Sequence, residues 1–291
     1  MSKSLPEQYK ARTHIKSPFT RESLVDKGVM ASTAVERETD LLPYVNIIGI
    51  GGRSILDRGR SAILPLVDEI VQNKDSHKMI LGVAGGIREL HTYAIAMDLG
   101  IPTGGLAHLA GACQEQYEKM LQALLAKHGG IQLTKDHFWD IPHKLASGMI
   151  PIMIGMPPYH YWEQPPRKGN LPMNGFDFGL YIFAEALGAR SVIFIKDVDG
   201  LYSEDPRTNP RASFIPEISA SELLALELER SCIDRMVAEV MLRSRHVKKI
   251  QIINGLKPGN LTRALNLEHV GTIVRAENRR VIASAVQRKR R

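Results

Sequence analysis

Short apolar runs alternate with segments of helical spacing along residues 45–276. Val45–Ile50 is a compact apolar run, typical of a strand buried on both faces, whereas Ser61–Val71 repeats its apolar side chains every three to four positions, which predicts an amphipathic helix. The same patterns predict further strands at Met79–Ala84, Ile131–Leu133, Pro151–Ile154, Ser191–Ile195, Lys249–Ile253 and Thr272–Val274, and further helices at Ile87–Leu99, Leu106–His128, Phe176–Leu187, Ser219–Leu226, Asp234–His246 and Leu261–Leu265, the last capped by Asn260.

This strand–helix alternation predicts an α/β fold. Crossover helices connect parallel strands, so we expect a mostly parallel sheet covered by helices on both faces. Ligands in such sheets bind beyond the carboxyl ends of the strands. Residues 1–40 are polar without a sustained period, which predicts an N-terminal arm before a domain over residues 41–276, followed by a tail over residues 277–291.

Composition excludes several classes of protein. The chain has 291 residues, of which 44% are hydrophobic, and no apolar run approaches the roughly 18 residues of a membrane helix. The first residues lack the apolar stretch of a secretory signal. The two cysteines, Cys113 and Cys232, are too few for a disulfide framework or a zinc site. We therefore expect a cytoplasmic protein with no membrane partner.

The net charge of +7 is confined to the ends of the chain. Residues 275–291 hold seven Lys and Arg against one Glu, a net of +6, and residues 1–45 hold seven basic and six acidic residues, a net of +1. Residues 46–274 are therefore neutral overall. A basic nucleic-acid-binding face on the domain is not expected, and the tail is either a solubilising terminus or a contact for an acidic partner.

Two glycine pairs follow predicted strands and precede predicted helices. Gly51-Gly52 comes after the first strand and Gly85-Gly86 after the second. Exposed N–H groups in such a turn, beside a helix N-terminus, attract phosphate or another oxyanion. Tight strand-to-helix turns also use glycine for steric reasons alone. Neither GxxxxGK[ST] nor GxGxxG is present, so the pairs indicate an anion or nucleotide site outside those two motifs.

A third polar segment follows the strand Ser191–Ile195. It contains Lys196, Asp197, Asp199, Gly200 and Tyr202, with Asp205 shortly afterwards. Asp-Gly suits a tight turn and needs no further explanation. Alternatively, the segment forms one edge of a nucleotide site, with the tyrosine against a base and the charged side chains near phosphate or magnesium.

These features together resemble the amino acid kinase superfamily, on its uridylate kinase branch. Within that branch the sequence is most similar to the molybdenum storage protein subunits, nearest the alpha subunit. The resemblance spans about residues 40–276. It is carried by Leu41–Pro43, Ile50–Gly59, Ile63–Ile70, Asp98–Pro102, Pro157–His160, Asp197–Pro206, Asn254–Leu265 and Glu268–Ala276.

The resemblance implies a three-layer α/β/α sandwich that assembles as a hexamer, with itself or with a homologous second subunit. It further implies ATP and Mg²⁺ as cofactors and molybdate, stored as oxoanion clusters, as the bound anion. Both glycine loops would hold nucleotide phosphates. The residues expected near the nucleotide are Gly49, Gly51, Gly52, Arg53, Gly85, Gly86, Arg88, Asp177, Lys196, Asp197, Asp199, Gly200, Tyr202 and Asp205.

One departure from the family concerns the first glycine loop. The family carries lysine two positions before the first residue of the pair, and this lysine neutralises the transferring phosphoryl group; here the position is Gly49. Loss of one such cation is expected to lower the rate by a factor of about 10² or more. Lys196 or Arg88 could supply the charge from another direction. No catalytic residue is assigned, and the enzymatic status of the chain stays open.

A second departure concerns the cluster site, where the acid and histidine of the resembled subunit align with Thr134 and with Leu145 or Ala146. His137, His143 and His160 are the candidate metal ligands instead, because imidazole can ligate a metal or donate to a polyanion. The alternative for each is a surface histidine. We expect a storage-type subunit; the competing functions are a uridylate kinase and a catalytically impaired shell subunit.

Overall fold

The computed structural model describes residues 27–28, 39–156, 171–172, 174–228 and 231–276. Contacts divide the chain into a unit over residues 1–39 and a unit over residues 40–291. Of the first unit, the description covers Lys27 and Gly28, which are helical, and Thr39. Everything that follows concerns the second unit.

An eight-stranded sheet forms the centre of the second unit. Its order is β3-β4-β2-β1-β5-β9-β10-β8, and the first six strands in this order are parallel, whereas β10 and β8 run in the opposite direction. The strands are β1 Val45–Ile50, β2 Lys78–Val83, β3 Gly130–Gln132, β4 Ile150–Ile154, β5 Ser191–Lys196, β8 Glu217–Ser219, β9 Lys249–Asn254 and β10 Thr272–Arg275, and a separate hairpin pairs β6 Leu201–Tyr202 with β7 Phe214–Ile215.

Helices cover both faces of the sheet. In chain order the α-helices of the second unit, within its described residues, are α1 Arg60–Asn73, α2 Gly86–Asp98, α3 Thr103–Leu125, α4 Ile141–Ala146, α5 Phe176–Leu187, α6 Ala220–Ala225, α7 Arg235–Met241 and α8 Asn260–Leu265. Short 3₁₀ segments occupy Leu56–Arg58, Ala126–His128 and Lys135–Asp140. None of the helices in the described ranges combines the length and apolarity that crossing a bilayer requires.

Alternating side chains of the strands divide the core into two layers. Ile47 and Phe194 pack in one cluster with Leu180 of α5, whereas Ile48 and Ile193 pack in the other with residues of α1, α3 and α8. The strand residues named here and Leu180 are fully buried. The predicted mostly parallel α/β sheet with helices on both faces is therefore confirmed.

Local differences from the sequence predictions have physical causes. Asn260 was predicted to cap α8, but it lies inside the helix, and its side-chain amide donates to the Asn254 carbonyl at 3.0 Å while Gly259 adopts the left-handed conformation at the N-cap. Helix α7 ends at Met241 rather than His246, and Ser219 caps α6 through the predicted capping box with Glu222. The β6–β7 hairpin and the 135–146 helical turns were not predicted, because each is too short to show a period.

Candidate functional site

A cleft of about 510 Å³ opens at the carboxyl ends of β1, β2 and β5. Such a position is where parallel sheets bind ligands, since loops from neighbouring strands diverge there. Its walls come from the loops after these three strands, the first turn of α5, the β6–β7 hairpin and the segment before α7. Lining residues that the sequence predicted are Gly51, Gly52, Arg53, Gly86, Asp177, Lys196, Asp197, Gly200, Tyr202 and Asp205.

The loop after β1 presents unused backbone donors to the cleft. Gly51 donates its N–H to the Ile195 carbonyl at 3.0 Å. Within the described ranges, the next three N–H groups, of Gly52, Arg53 and Ser54, have no protein acceptor. All four residues line the cleft. Consecutive N–H groups of this kind form a concave donor site for an oxyanion.

Close packing also requires glycine in this loop. A Cβ atom at position 52 would collide with the Gly86 backbone nitrogen and Cα of the second glycine loop. The two loops therefore touch each other through their backbones. The steric interpretation of the glycine pair therefore applies at Gly52, whereas the anion-binding interpretation stays a prediction.

Lys196 brings a buried cation to the floor of the cleft. Its ammonium group lies 2.9 Å from both carboxylate oxygens of Asp177, and it sits 5.7 Å from the ring centre of Phe176 and 5.8 Å from that of Phe194. Burial lowers the pKa of Lys196, but the Asp177 carboxylate outweighs burial and raises the pKa overall. The lysine therefore stays protonated. Arg88, the other candidate cation, instead lies 4.8 Å above the Tyr117 ring.

Gly49 leaves room for an aromatic ring. A Cβ atom at this position would lie 2.7 Å from the Phe194 Cδ1 and 3.1 Å from the Leu180 Cδ1. Position 49 of β1 thus faces α5, on the same side of the sheet as Phe194 of β5. Lys196 lies two residues after Phe194 on β5. The ring of Phe194 fills the space that a lysine at position 49 would need.

A second carboxylate lies beside the Lys196–Asp177 pair. Asp177 accepts the Asp234 N–H at 3.2 Å, and Asp234 accepts the Phe178 N–H at 3.3 Å. Burial and the neighbouring Asp177 charge raise the pKa of Asp234 to about 6. Burial likewise raises the pKa of Cys232, which also lines the cleft, to about 11, so this thiol is not a nucleophile near neutral pH.

The second glycine loop differs from the first, because carboxylates of the protein occupy its donors. Asp57 accepts the Ile87 N–H at 2.7 Å, and Glu89 accepts the Gly85 N–H at 3.1 Å. Tyr117 donates its hydroxyl to Asp57. Burial, with this hydrogen bond as the smaller cause, raises the pKa of Tyr117 to about 12. The expectation that both loops hold nucleotide phosphates stays a prediction, and at the second loop two internal carboxylates already accept the Gly85 and Ile87 N–H groups.

Ion pairs and a hairpin form the outer rim of the cleft. Arg58 binds Asp197 at 2.7 Å, joining the loop after β1 to the loop after β5, and Arg207 binds Asp205 at 3.0 Å. Tyr202 packs edge-on against Phe214 across the hairpin, with ring centres 5.5 Å apart. The rim thus combines an aromatic surface with charged side chains.

Four of the predicted residues do not line the cleft. Gly49 is covered by Phe194, Gly85 is bonded to Glu89, and Arg88 lies over Tyr117. Asp199 binds Lys257 at 2.7 Å and accepts the Asn254 side-chain amide at 3.0 Å, so it fixes the turn after β5 instead. The sequence interpretation did not single out Ser54, Glu89, Arg207 and Asp234 in the wall, or Asp57 and Tyr117 behind it.

Two of the candidate histidines, His137 and His143, do not line this cleft. His137 shares a hydrogen bond with the Thr134 hydroxyl at 2.8 Å on the 135–140 segment, and His143 is exposed on α4. His160 falls outside the described residues. No cluster of three or more metal-ligating side chains is found within the described part of the chain. The histidine site stays a prediction.

Comparison with known proteins agrees with this geometry. Residues 45–254 match the model of the amino acid kinase family. The chain belongs to this family. It is 42% identical over 256 residues to the molybdenum storage protein subunit beta of Azotobacter vinelandii, a match that covers 88% of this chain and 95% of that subunit.

Weaker similarities place uridylate kinases in the same family. The uridylate kinase of Pyrococcus abyssi is 26% identical over 239 residues, covering 76% of this chain and 99% of that enzyme. The structure of the Archaeoglobus fulgidus uridylate kinase shares the fold, with a TM-score of 0.63 and 21% identity over 79% of this chain and 99% of that chain. The resemblance to molybdenum storage protein subunits is confirmed, and the relative reported above is a subunit beta.

Proposed function

We propose that this chain is a storage-type subunit that binds ATP with Mg²⁺ in the described cleft and takes part in retaining molybdate as oxoanion clusters. The observation that carries the proposal is the set of three open N–H groups at Gly52–Ser54 beside the Lys196 ammonium. The 42% identity to a molybdenum storage protein subunit supports the choice of cargo.

The residues of the cleft fit a nucleoside triphosphate in three respects. The N–H groups of residues 52–54 would bind terminal phosphate oxygens, and Lys196 would neutralise their charge. Asp177 and Asp234 offer carboxylate oxygens for Mg²⁺, which otherwise keeps waters and phosphate ligands. When bound, Mg²⁺ supplies neutralising charge to the phosphates. The hairpin with Tyr202 would contact the base.

Lys196 takes the place of the family lysine that is missing at position 49. The two positions lie on the same side of the sheet, and the Asp177 carboxylate holds the Lys196 ammonium at the floor of the cleft. Cation and anion-binding loop thus converge without the lysine at 49. Positioning and charge stabilisation are the main needs of phosphoryl transfer, so this arrangement is compatible with ATP hydrolysis as well as ATP binding.

Assembly with homologous chains is part of the proposal. The relative from Azotobacter vinelandii is named as one subunit of a storage protein. Large apolar side chains of α2 are exposed in the single chain, which indicates a surface covered by another subunit. We expect a hexamer, formed by this chain alone or with a homologous second subunit.

A second candidate is a shell subunit that has lost phosphoryl transfer. Gly49 is the observation that favours it, because Phe194 occupies the space of the family lysine. Such a subunit would still build the assembly, but it would show no ATP turnover when purified.

One experiment tests the main proposal and separates it from the second. The full-length protein is incubated with molybdate, ATP and Mg²⁺ and passed through a size-exclusion column, after which molybdenum, bound nucleotide and released phosphate are measured. We expect molybdenum to elute with the protein only when ATP is present. Retention no greater than in a heat-denatured sample would contradict storage, and nucleotide binding without phosphate release would favour the shell subunit.

Variants assign the site in the same experiment. Lys196→Met removes a charged hydrogen-bond donor, which is expected to weaken ATP binding about tenfold or more. Lys127→Met, an exposed lysine of the 126–128 segment, is the matched control and should bind ATP normally. His137→Ala with His143→Ala should lower the molybdenum content and leave ATP affinity unchanged. Equal ATP affinity of both lysine variants would move the nucleotide out of this cleft.

A further inference from the structure

The N-terminus of α2 is occupied by carboxylates of the protein itself. The Oδ2 atom of Asp57 accepts the Ile87 N–H at 2.7 Å, while Oδ1 accepts the hydroxyl of Tyr117. A Cβ atom on Gly86 would lie only 2.6 Å from either oxygen. The carboxylate thus lies directly against the backbone of the glycine loop, in the place that a bound anion would take.

Asp57 is held in this place by the first glycine loop. Its backbone N–H donates to the Gly52 carbonyl at 2.9 Å, and the residue belongs to the short 56–58 helical turn that follows the loop. Tyr117, from α3, fixes the carboxylate from the opposite side. Three separate segments therefore determine the position of one side chain.

Glu89 occupies the other donor of the same loop. It accepts the Gly85 N–H at 3.1 Å and the Gln114 side-chain amide at 3.2 Å, and Gln114 in turn accepts the Met156 N–H at 2.8 Å. Burial raises the pKa of Glu89, opposed by these hydrogen bonds. The N–H groups of Gly85 and Ile87 in the second loop therefore have internal carboxylate partners, whereas the first loop has open donors at Gly52, Arg53 and Ser54.

We propose that Asp57 determines ligand specificity as a built-in anion at the N-terminus of α2, so that the cleft accepts a phosphorylated ligand at the first glycine loop and rejects a second one at the second loop. The identity of the first ligand rests on the proposed nucleotide function; the exclusion at the second loop rests on the Asp57 contacts alone. A phosphate entering there would lose the Ile87 donor and meet a like charge at short range. The arrangement thus disfavours a nucleoside monophosphate acceptor.

Removal of the Asp57 side chain should create the missing anion site. The Ile87 N–H would be free, and the Arg88 guanidinium lies 4.8 Å above the ring of Tyr117, the residue whose hydroxyl contacts Asp57. An amide at position 57 would remove the charge but still occupy the Ile87 donor. Comparison of Asp57→Ala with Asp57→Asn therefore separates occupancy of the site from its charge.

The test measures binding of UMP and of inorganic phosphate to the full-length protein by isothermal titration calorimetry. The wild-type chain is expected to bind either probe only at the open donors of the first loop, from which a non-hydrolysable ATP analogue displaces the probe. Asp57→Ala should gain affinity about tenfold or more for both probes, because a hydrogen bond to a charged group becomes available. Asp57→Asn should gain less. A gain for UMP alone would assign the site to the nucleoside as well as the phosphate.

Controls keep the outcome interpretable. Asp68→Ala removes an exposed carboxylate of α1 with the same charge change, and it should not alter binding of either probe. Thermal unfolding confirms that each variant is folded, and Asp57→Asn, which preserves the shape of the side chain, serves if Asp57→Ala is not. Binding of UMP to the wild type that the ATP analogue does not displace, or folded Asp57 variants without any gain, would overturn the proposal.

A parallel titration with a non-hydrolysable ATP analogue distinguishes this inference from the proposed function. If the wild type does not bind the analogue but Asp57→Ala gains UMP binding, the nucleotide proposal is contradicted and the role of Asp57 is retained. If the wild type binds the analogue but Asp57→Ala gains no UMP binding, the nucleotide site is retained and the specificity role of Asp57 is contradicted.

Discussion

Lys196 and two carboxylates share the floor of the cleft, and their charges depend on one another. Asp177 is bound through both oxygens to the ammonium group, whereas Asp234 is buried nearby with its pKa raised to about 6. The Lys196 ammonium thus lies close to two carboxyl groups, and of these the Asp177 carboxylate is paired with it through both oxygens. This leaves Asp234 as the group that titrates in the mildly acidic range.

The raised pKa of Asp234 makes stability depend on pH. Because the folded-state pKa of about 6 lies above the usual 3.8, the fold favours the neutral acid, and stability is lost as the pH rises from about 4 to 6. Asp234→Asn removes this loss and should raise the free energy of unfolding at pH 7.5 by up to about 3 kcal/mol, with no gain at pH 4. Urea unfolding at both pH values measures the difference. Parallel pH profiles of variant and wild type would contradict the assignment.

Some site residues could be predicted from local sequence, and others could not. Gly51, Gly52 and Lys196 directly follow strands with clear apolar patterns, so the edge of the sheet predicted their position. Asp57 lies 30 positions before Ile87 and 60 before Tyr117, and contacts at such separations depend on how helices pack. Its one local signal is an acidic residue five positions after the glycine pair. That spacing alone does not distinguish a cap from a surface charge.

Among the secondary-structure elements, β1 and β5 carry side chains of complementary volume at one paired position. Gly49 pairs in register with Phe194, and the aromatic ring lies over the bare glycine backbone under Leu180 of α5. Lys196 follows on the same face of β5. The large side chain of Phe194 on β5 thus fills the space beside Gly49 on β1, and the close packing of the interior is preserved.

This matching predicts a dependence between two substitutions. Gly49→Ala places a methyl group 2.7 Å from the Phe194 ring, and overpacking of this kind costs about 1–3 kcal/mol of stability. Phe194→Leu in the same chain should recover part of that loss, because a leucine leaves room for the methyl group. Free energies of unfolding for the two single variants and the double variant give the coupling. Additive effects would show that the two side chains do not compete for space.

The length of a period did not decide how well an element boundary was predicted, since α3 covers Thr103–Leu125 where the sequence predicts Leu106–His128. The predicted strand Val45–Ile50 and helix Phe176–Leu187 have the same bounds in the structure. Helix α7 is shorter than predicted because the apolar spacing of residues 234–246 continues past Met241 into a turn whose backbone bonds, such as that from Ser244 to Met241, span three residues. Sequence period reports which face is buried, and backbone hydrogen bonds decide where the helix ends.

At the scale of the whole molecule, α2 and the residue that follows it expose large apolar side chains. Ile87, Ile95 and Leu99 are 56%, 51% and 70% exposed, and Leu90 is also exposed. Trp139, on the 135–140 segment, is 91% exposed. Large apolar side chains at such positions on several turns of one helix are typical of interfaces. Sequence alone could not identify this face, because helical spacing does not state whether the partner is the sheet or another chain.

The proposed assembly predicts a change in mass. Ile95→Asp with Leu99→Asp places two charges on the exposed apolar face, and burying unpaired charges is strongly unfavourable. We expect fewer chains per particle by size-exclusion chromatography with light scattering, at unchanged secondary structure. Leu267→Asp, another exposed leucine at 46%, is the control and should leave the mass unchanged. A monomeric wild type, or an equal mass for both variants, would contradict an interface on α2.

The shared volume of positions 49 and 194 also restricts the order in which this chain can be altered. A Cβ atom at position 49 would lie 2.7 Å from the Phe194 ring, so a lysine at position 49 and a phenyl ring at position 194 exclude each other. A lysine can therefore enter position 49 only after a smaller residue has replaced the ring at position 194.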